Sequence, residues 1–292
     1  MKDVLVAGPE YILALDVGGT KIHTSLVQIQ EDSYTIITQT KVQTYSDGSQ
    51  LEVLAQLTHC VSQLLDTRVK CICIGFPSTM NQRTGTILET TNIPSLQHVE
   101  IRKHFQKQFH IPIYIQNDAN CFALGAYLQH KSHIQNDEVF VGITLGTGVG
   151  CGVITQGNIL TGIHTAAAEI WQLPYLDGTI EQYASSKFFE SKHISAKDCF
   201  LLAKQNDARA VTICAEFAKH VAHVLFVCIV CYNPTKIAIG GSIAKGHEFF
   251  AEDVLSALQQ KLTSVQFSDI DISYVIDSDV VIKGVAHLAH IR

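Results

Sequence analysis

Short apolar runs that end at glycine clusters occur twice along the chain. Residues 11–16 form a mostly apolar run, a glycine pair follows, and residues 22–29 alternate between apolar and polar positions. This pattern predicts a strand, a tight glycine turn and a second strand. About 130 residues later the same order returns, with a strand, a glycine turn at 146–150 and a strand at 151–155. The repetition predicts two related α/β halves that face a cleft.

The remaining chain mixes apolar residues at helical spacing with short, continuous apolar runs. Helices are predicted at 51–65, 99–109, 120–130, 208–232, 244–262 and 280–291, strands at 70–76, 111–116, 139–145 and 236–239, and a hairpin turn at 82–88. No low-complexity linker separates the halves, so we place the boundary near Asn117. This predicts an N-terminal α/β domain at 1–117, a C-terminal α/β domain at 118–279, and a last helix, 280–292, that packs back on the first domain.

Composition and charge exclude several classes of protein. The 292 residues are 47% hydrophobic and 16% charged, which is typical of a globular chain and not of a disordered one. The net charge is −6 and no dense run of Lys and Arg occurs, so nucleic acid is set aside as a ligand. Nine cysteines, an odd number mostly in apolar runs, predict buried free thiols of a reducing compartment.

Targeting segments are also absent from the pattern. Residues 1–10 carry acidic residues and no apolar stretch with a small-residue cleavage site, so no signal peptide is expected. The longest apolar candidate, residues 221–232, contains His223 and is shorter than the roughly 18 residues that a membrane helix needs. We therefore expect a soluble, cytoplasmic protein with no membrane partner.

The first candidate site is the glycine pair after the first strand. Gly18 and Gly19 permit a sharp turn and a close backbone approach, so their N–H groups, together with Thr20 and Lys21, can face phosphate oxygens. Asp16, at the end of the strand, is placed to hold Mg²⁺ directly or through water. The alternative is an ordinary hairpin with an exposed aspartate.

Two further glycine turns suit a nucleotide. Gly146, Thr147 and Gly148 begin a second turn that can cradle phosphates, although glycine-rich hairpins are common and the pattern is weak by itself. Gly240 and Gly241 stand between a strand and a helix, a geometry that suits adenine and its ribose. Two phosphate loops in one protein suggest a shared polyphosphate.

A strand delivers Asn117 and Asp118 to the start of a helix. There Asp118 can accept a proton from a substrate hydroxyl, and Asn117 can exchange hydrogen bonds with sugar hydroxyls. The alternative for both residues is a helix N-cap, which local evidence alone favours. Glu169, among small residues and followed by Trp171, and Glu181 are further candidates for hydroxyl recognition, against the alternative of solvated acids.

Each motif is modest alone, but their order resembles the ROK family of bacterial sugar kinases. The family pattern is Asp-x-Gly-Gly-Thr-Lys, Gly-x-Pro, Thr-Gly with Asn-x-Pro, Asn-Asp-Ala-Asn, Gly-Thr-Gly-x-Gly, Gly-Glu-x-Gly-His, Gly-Cys-x-Glu and a Gly-Gly turn. The chain supplies these at residues 16–21, 75–77, 84–85 with 92–94, 117–120, 146–150, 168–172, 178–181 and 240–241. The resemblance covers nearly the whole chain.

The resemblance implies a two-domain, actin-like (ribonuclease H-like) hexokinase fold that binds ATP and a sugar in the interdomain cleft. It implies an ATP- and Mg-dependent sugar kinase, a phosphotransferase with an alcohol group as acceptor, in which Asp118 takes the proton from a sugar hydroxyl. It also implies a homodimer. The sugar-binding residues that it implies are Asn92, Asn117, Glu169 and Glu181, with Gln172 at the position where the family carries a sugar-contacting histidine.

The chain departs from the family pattern at its zinc loop. Gln172 replaces the usual histidine, Thr179 replaces the last cysteine, and the cysteine cluster is missing, so no structural zinc is expected. Ser78 stands where a glycine is usual, which leaves the identity of the sugar open. His220 and His223 with Cys228 and Cys231 suggest a metal site, but their apolar surroundings favour core imidazoles and buried thiols.

Two other classes of function remain open at this point. A catalytically weak, sugar-binding regulator would share the fold, although only about ten residues precede the first strand and no DNA-binding domain fits there. An actin-like ATPase that moves a partner protein would lack the residues that match the sugar-binding positions of the family. Sugar-stimulated ATP hydrolysis would separate a kinase from such an ATPase.

Overall fold

The structure is a computed structural model, and it describes residues 8–135 and 138–291. The expectation about a leader at residues 1–10 therefore lies largely outside the described residues, as does Arg292 of the predicted last helix. The strands are β1 (Glu10–Val17), β2 (Lys21–Gln30), β3 (Ser33–Gln43), β4 (Val69–Phe76), β5 (Thr79–Asn81), β6 (Thr86–Glu89), β7 (Ile113–Asn117), β8 (Val139–Leu145), β9 (Val149–Thr155), β10 (Asn158–Ile159), β11 (Pro174–Tyr175), β12 (Gly178–Thr179), β13 (Lys236–Gly240) and β14 (Asp271–Tyr274). The helices are α1 (Gln50–Leu64), α2 (Ile101–Phe109), α3 (Asp118–His130), α4 (Ile180–Ala184), α5 (Ser186–Ser191), α6 (Ala196–Lys204), α7 (Ala208–Tyr232), α8 (Ala251–Gln259), α9 (Ser264–Ser268) and α10 (Val280–His287).

The described chain forms two compact units. The first unit contains the residues up to 125, together with 161–167 and those from 279 onward. The second contains 126–160 and 168–278. The mixed α/β class is confirmed, while the boundary near Asn117 stays a prediction.

Each unit is built on a five-stranded sheet of mixed direction. In the first unit the order is β3-β2-β1-β4-β7, with β1 antiparallel to β2 and parallel to β4, which is parallel to β7. In the second unit the order is β10-β9-β8-β13-β14, with β8 antiparallel to β9 and parallel to β13. The predicted repetition of strand, glycine turn and strand is therefore confirmed in both sheets. The carboxyl ends of parallel strands share one sheet edge, which is where such folds gather functional residues.

Helix α7 forms much of the core of the second unit. Its side chains Phe217, Leu225 and Cys228 are fully buried. By length and composition it is the one helix among residues 8–135 and 138–291 that is apolar enough to cross a membrane, with a mean hydropathy of 1.8 over its best window. This helix includes the apolar stretch 221–232, and by length it exceeds the roughly 18 residues that a membrane helix needs. However, 61% of that window is buried inside the fold, as in the core helix of a soluble protein.

Helix α10 closes the first unit by crossing α3 at two glycines, and it also packs on β1, β2 and β4. A Cβ atom on Gly284 would lie 1.9 Å from the carbonyl oxygen of Cys121, and one on Gly125 would lie 1.9 Å from that of Val280. The two helix backbones are therefore in direct contact. Val285 packs on Gly75 in β4, so this helix supports the strands that carry the candidate site.

We expect Gly284→Ala to lower the free energy of unfolding by about 1–3 kcal/mol, because a methyl group at this crossing must displace backbone atoms. Urea unfolding of the purified variant measures the change. Gly8→Ala is the matched control, since a Cβ atom there meets nothing within 4 Å. A Gly284→Ala protein as stable as the wild type would contradict the close crossing.

One predicted helix is broken in the structure. Residues 244–262 were expected to form a continuous helix, but a 3-10 segment, Ile243–Phe249, with non-helical backbone at Gly246 precedes α8. The Phe200 ring fills the space beside Gly246, where a Cβ atom would come within 2.3 Å of the ring. Packing against α6 therefore overrides the helical periodicity.

Candidate active site

Two carboxylates lie at the edge of the first sheet. Asp16 is next to last in β1 and Asp118 opens α3 directly after β7. In the sheet Asp16 is opposite Gly75, which is opposite Gln116, two residues before Asp118. Strand β4 therefore separates the two acidic side chains, and both are half-buried.

Burial raises the pKa of both carboxyl groups, and the charge of Asp118 raises that of Asp16 further. Desolvation, and then the charge of Asp118, raise the pKa of Asp16 to about 7, against a smaller lowering effect of Lys21. Desolvation also raises the pKa of Asp118, partly offset by a backbone hydrogen bond from the Ala119 N–H at 2.9 Å. A carboxylate pair of this kind suits proton transfer near neutral pH and a divalent cation that would relieve the repulsion.

This electrostatic coupling gives a prediction for the pH titration of Asp16. Removing the neighbouring charge with Asp118→Asn should lower the pKa of Asp16 from about 7, while burial keeps it above its usual value of 3.8. The carboxyl ¹³C chemical shift of Asp16, followed by NMR from pH 4 to pH 9, measures both values. An unchanged midpoint would show that the two carboxylates do not interact.

The β1–β2 turn brings a predicted phosphate residue against a predicted sugar residue. The Gly18 N–H donates to the Lys21 carbonyl at 2.9 Å, which closes the turn. A Cβ atom on Gly19 would lie 2.9 Å from Cβ of Asn92, so only glycine fits beneath this side chain. Thr20, Lys21 and Asn92 are exposed, as groups that bind a ligand must be.

Most of the hydrogen-bonding capacity of the Asn117 side-chain amide is used within the protein. Its Oδ1 accepts from the N–H groups of Ala119 at 2.9 Å and Asn120 at 3.1 Å, which caps the start of α3. Its Nδ2 donates to the Ser78 carbonyl at 3.3 Å. The N-cap interpretation is therefore correct for Asn117, and one amide hydrogen remains for a ligand. This capping fixes the helix start that carries Asp118.

In the second unit the two glycine motifs lie side by side. The Gly146 N–H donates to the Gly148 carbonyl at 3.0 Å, forming a tight loop between β8 and β9. Gly241 has a φ of +92°, and a Cβ atom there would lie 2.3 Å from the Leu145 carbonyl oxygen. Ser242 reaches toward Gly146, whose Cβ position is 3.4 Å from the serine hydroxyl oxygen. This close backbone contact requires glycine at 241 and joins the predicted phosphate and adenosine motifs.

Glu181 lies against this glycine loop and is not a solvated acid. A Cβ atom on Gly148 would come within 2.5 Å of Glu181 Oε2. Glu181 Oε1 accepts a hydrogen bond from Lys187 Nζ at 2.5 Å, and the Glu181 side chain is only 20% exposed. Lys187 is absent from the sequence-based prediction, because no motif marks a residue six positions away in a separate short helix.

Glu169 precedes and Gln172 ends the 3-10 turn Ile170–Gln172, which contacts α4. The indole N–H of Trp171 donates to the Glu169 carboxylate, so the half-buried acid has a partner within its own turn. Gln172 is exposed. The two residues are placed on the same short element, followed within the unit by the helix that carries Glu181.

His220, His223 and Cys228 of α7 pack within the second unit, but Cys231 does not. His220 is buried, its Nδ1 lies 3.1 Å from the Tyr175 hydroxyl, and burial lowers its pKa to about 4. His223 stacks on Tyr175, with ring centroids 4.1 Å apart. Cys228 is buried and Cys231 is exposed, as the one exception among the nine free cysteines. Over residues 8–135 and 138–291, no three His, Cys, Asp or Glu side chains are grouped to hold a metal ion.

The sequence matches one family model along almost its full length. Residues 12–289 match the model of the ROK family. Among curated proteins, the β-glucoside kinase of Listeria monocytogenes is 26% identical over 82% of this chain and 85% of its own. The glucokinase of Thermotoga maritima is 25% identical over 81% of this chain and 83% of its own.

Solved structures of low identity share the fold. A ROK hexokinase from Thermus thermophilus superposes with a TM-score of 0.79 at 23% identity, covering 96% of this chain and 98% of its own. A ROK glucokinase from Streptomyces griseus, in complex with glucose and AMPPNP, has a TM-score of 0.78 at 21% identity and covers 95% and 98%. A ROK transcriptional regulator homologous to the E. coli MLC protein has a TM-score of 0.83 at 20% identity, over 95% of this chain and 77% of its own.

The two mixed sheets have the actin-like, hexokinase-type fold of the solved ROK sugar kinases. The chain belongs to the ROK family.

Proposed function

We propose that this protein transfers the γ-phosphoryl group of ATP to a sugar hydroxyl, with Asp118 as general base. A bond forms between the hydroxyl oxygen and the γ-phosphorus, the bond from that phosphorus to the β,γ-bridging oxygen breaks, and ADP leaves. The hydroxyl proton passes to the Asp118 carboxylate. The observation that carries the proposal is the pair of half-buried carboxylates, Asp16 and Asp118, at the edge of the first sheet, both with raised pKa values.

Asp118 suits the role of base for electrostatic reasons. A carboxylate with a raised pKa holds a proton better than an exposed one, and a base is most effective when its pKa is near the working pH. Its side chain is fixed by the N–H of Ala119, which leaves carboxylate lone pairs for the substrate hydroxyl. The N-cap made by Asn117 holds the helix start, so the base is positioned before the substrate arrives.

The Asp16 carboxylate, near that of Asp118, fits a hard divalent cation. Two like charges at one sheet edge favour Mg²⁺, which prefers carboxylate oxygens and water. When bound, Mg²⁺ would neutralise charge on the phosphates of the donor. We assign Asp16 as its holder, directly or through water, because Asp118 must remain available for the proton.

The donor site draws on both glycine turns and the Gly240–Gly241 turn. The residues assigned to phosphate oxygens are Gly18, Gly19, Thr20, Lys21, Gly146, Thr147 and Gly148. Gly240 and Gly241 are assigned to adenine and ribose, beside the second loop. The AMPPNP complex of the related glucokinase supports ATP as the donor.

The acceptor site is assigned to Asn92, Asn117, Glu169, Gln172 and Glu181. These amides and carboxylates accept and donate hydrogen bonds to hydroxyl groups, which is the chemistry that a hexose requires. The names of the relatives, β-glucoside kinase and glucokinase, support a glucose-type acceptor. Gln172 cannot titrate, so the contact made by the family's histidine becomes independent of pH here. A cytoplasmic homodimer remains a proposal based on the family.

A sugar-binding regulator is the second candidate, favoured by the transcriptional regulator with the same fold. Such a protein would bind sugar without turning it over. The retention of Asp118 and of both phosphate loops favours the kinase.

The proposal is tested by coupled ADP release from Mg·ATP across hexoses, N-acetylhexosamines and β-glucosides. A kinase releases ADP when one or a few of these sugars are present, and releases little without them. Binding of a sugar without ADP release would favour the regulator, and ADP release that no sugar stimulates would favour an ATPase.

A further inference from the structure

Lys187 forms an ion pair that touches the candidate phosphate loop. Its ammonium group lies 2.5 Å from Glu181 Oε1, while Oε2 of the same carboxylate lies against Gly148. The glutamate is therefore placed between the lysine and the loop. The Lys187 side chain is 49% exposed, so the ammonium group is also accessible to a ligand.

Hydrogen bonds tie the segment that carries Lys187 directly to this loop. The Ser186 N–H donates to the Gly146 carbonyl at 2.8 Å. The Ser185 hydroxyl donates to the Glu181 carbonyl at 2.6 Å and accepts from the Lys187 N–H at 3.2 Å. These bonds hold the backbone of Lys187 beside the loop, and the ion pair with Glu181 directs its ammonium group.

Charge balance explains why a cation is needed at this position. If the loop holds phosphates, the Glu181 carboxylate is a second anion in contact with the same backbone. Two anions at such a distance repel each other unless a cation lies between or beside them. Among residues 8–135 and 138–291, Lys187 is the cation that forms an ion pair with Glu181.

We propose that Lys187 is a phosphate-binding residue of the donor site, which exchanges its bond to Glu181 for a bond to the nucleotide phosphates. This inference rests on the proposed kinase function. With the nucleotide bound, Glu181 is released from its ion pair and its carboxylate is available to the acceptor hydroxyl. Binding of donor and acceptor is then coupled, because each favours the same arrangement of the pair.

A ligand with phosphates and a ligand without them distinguish a phosphate-binding role of Lys187 from a structural one. Isothermal titration calorimetry with AMPPNP and with adenosine measures binding to the wild type and to Lys187→Met. We expect AMPPNP to bind about 5- to 20-fold more weakly to Lys187→Met, because one charge-assisted contact to phosphate is lost from a partly exposed site. The affinity of Lys187→Met for adenosine should stay within about twofold of that of the wild type, since adenosine has no phosphate for Lys187 to contact.

Two further variants serve as controls. Lys187→Arg keeps the charge and should restore most of the AMPPNP affinity. Lys192→Met removes a lysine of the same stretch that forms a 2.8 Å ion pair with Glu216, and it should bind both ligands as the wild type does.

The inference is overturned if Lys187→Met binds AMPPNP like the wild type, or if it loses affinity for AMPPNP and adenosine equally. In both cases a wild type that binds AMPPNP leaves the kinase proposal standing. A wild type that binds neither ligand would overturn the donor assignment itself, together with this inference.

Discussion

Asp118→Asn is expected to lower kcat for sugar phosphorylation by about 10²- to 10⁴-fold, the range that a general base contributes. Asparagine is nearly the same size and cannot take a proton at neutral pH. Its Oδ1 can still accept the hydrogen bond from the Ala119 N–H, so the start of α3 is preserved. The affinity for nucleotide should change little, because none of the residues assigned to the nucleotide is changed.

The initial rate of ADP release at saturating sugar, compared between wild type and variant, measures this effect. Asp66→Asn is a suitable control, since it removes a charge from the same unit at an exposed residue paired with Arg68. It should leave kcat unchanged. A kcat for Asp118→Asn near that of the wild type would show that another group accepts the proton.

Asp16→Asn is expected to abolish most activity and yet to stabilise the protein at pH 8. The first effect follows from the loss of the proposed magnesium ligand. The second follows from the pKa of about 7 for the buried carboxyl, against 3.8 for an exposed one. The difference between these two pKa values corresponds to an upper limit of roughly 4 kcal/mol in the free energy of unfolding.

The sign of this stability effect depends on pH. Between pH 3.8 and about 7 the native state retains a proton that the unfolded state has released, so stability falls as pH rises through this window. The full cost of ionising Asp16 is present above pH 7. Asparagine does not ionise, so the gain of Asp16→Asn should be large at pH 8 and small at pH 5.

Urea unfolding of Asp16→Asn at the two pH values measures this difference. Asp66→Asn again provides the contrast, because its ion pair with Arg68 lowers the pKa of that carboxyl, and its removal should bring no gain at pH 8. Equal stability of Asp16→Asn and the wild type at pH 8 would show that Asp16 is not destabilised by its surroundings.

Elements with a strong pattern could be predicted closely from the sequence. Strand β8 and helix α7 have the predicted bounds, because each is long or strongly apolar and ends at a turn signal. Strand β3 was missed because it is an edge strand with mostly polar, partly exposed residues on both faces. The break at Gly246 was missed because its cause, the Phe200 ring, comes from another helix.

The same limit applies to the candidate site. The sequence marks Asp16 and Asp118, but their electrostatic coupling depends on strand order, which brings distant segments to one sheet edge. The pairing of Glu181 with Lys187 depends on how two short helices fold over the glycine loop. Such contacts between side chains of separate elements leave no periodic signal in the chain.

Direct detection of the phosphorylated sugar by mass spectrometry, after incubation with Mg·ATP and the best acceptor of the panel, tests the proposed chemistry most directly. We predict that wild type forms one sugar phosphate for each ADP released and that Asp118→Asn forms almost none in the same time. ADP release without a sugar phosphate, or equal product from both proteins, would contradict phosphoryl transfer to a sugar with Asp118 as the base.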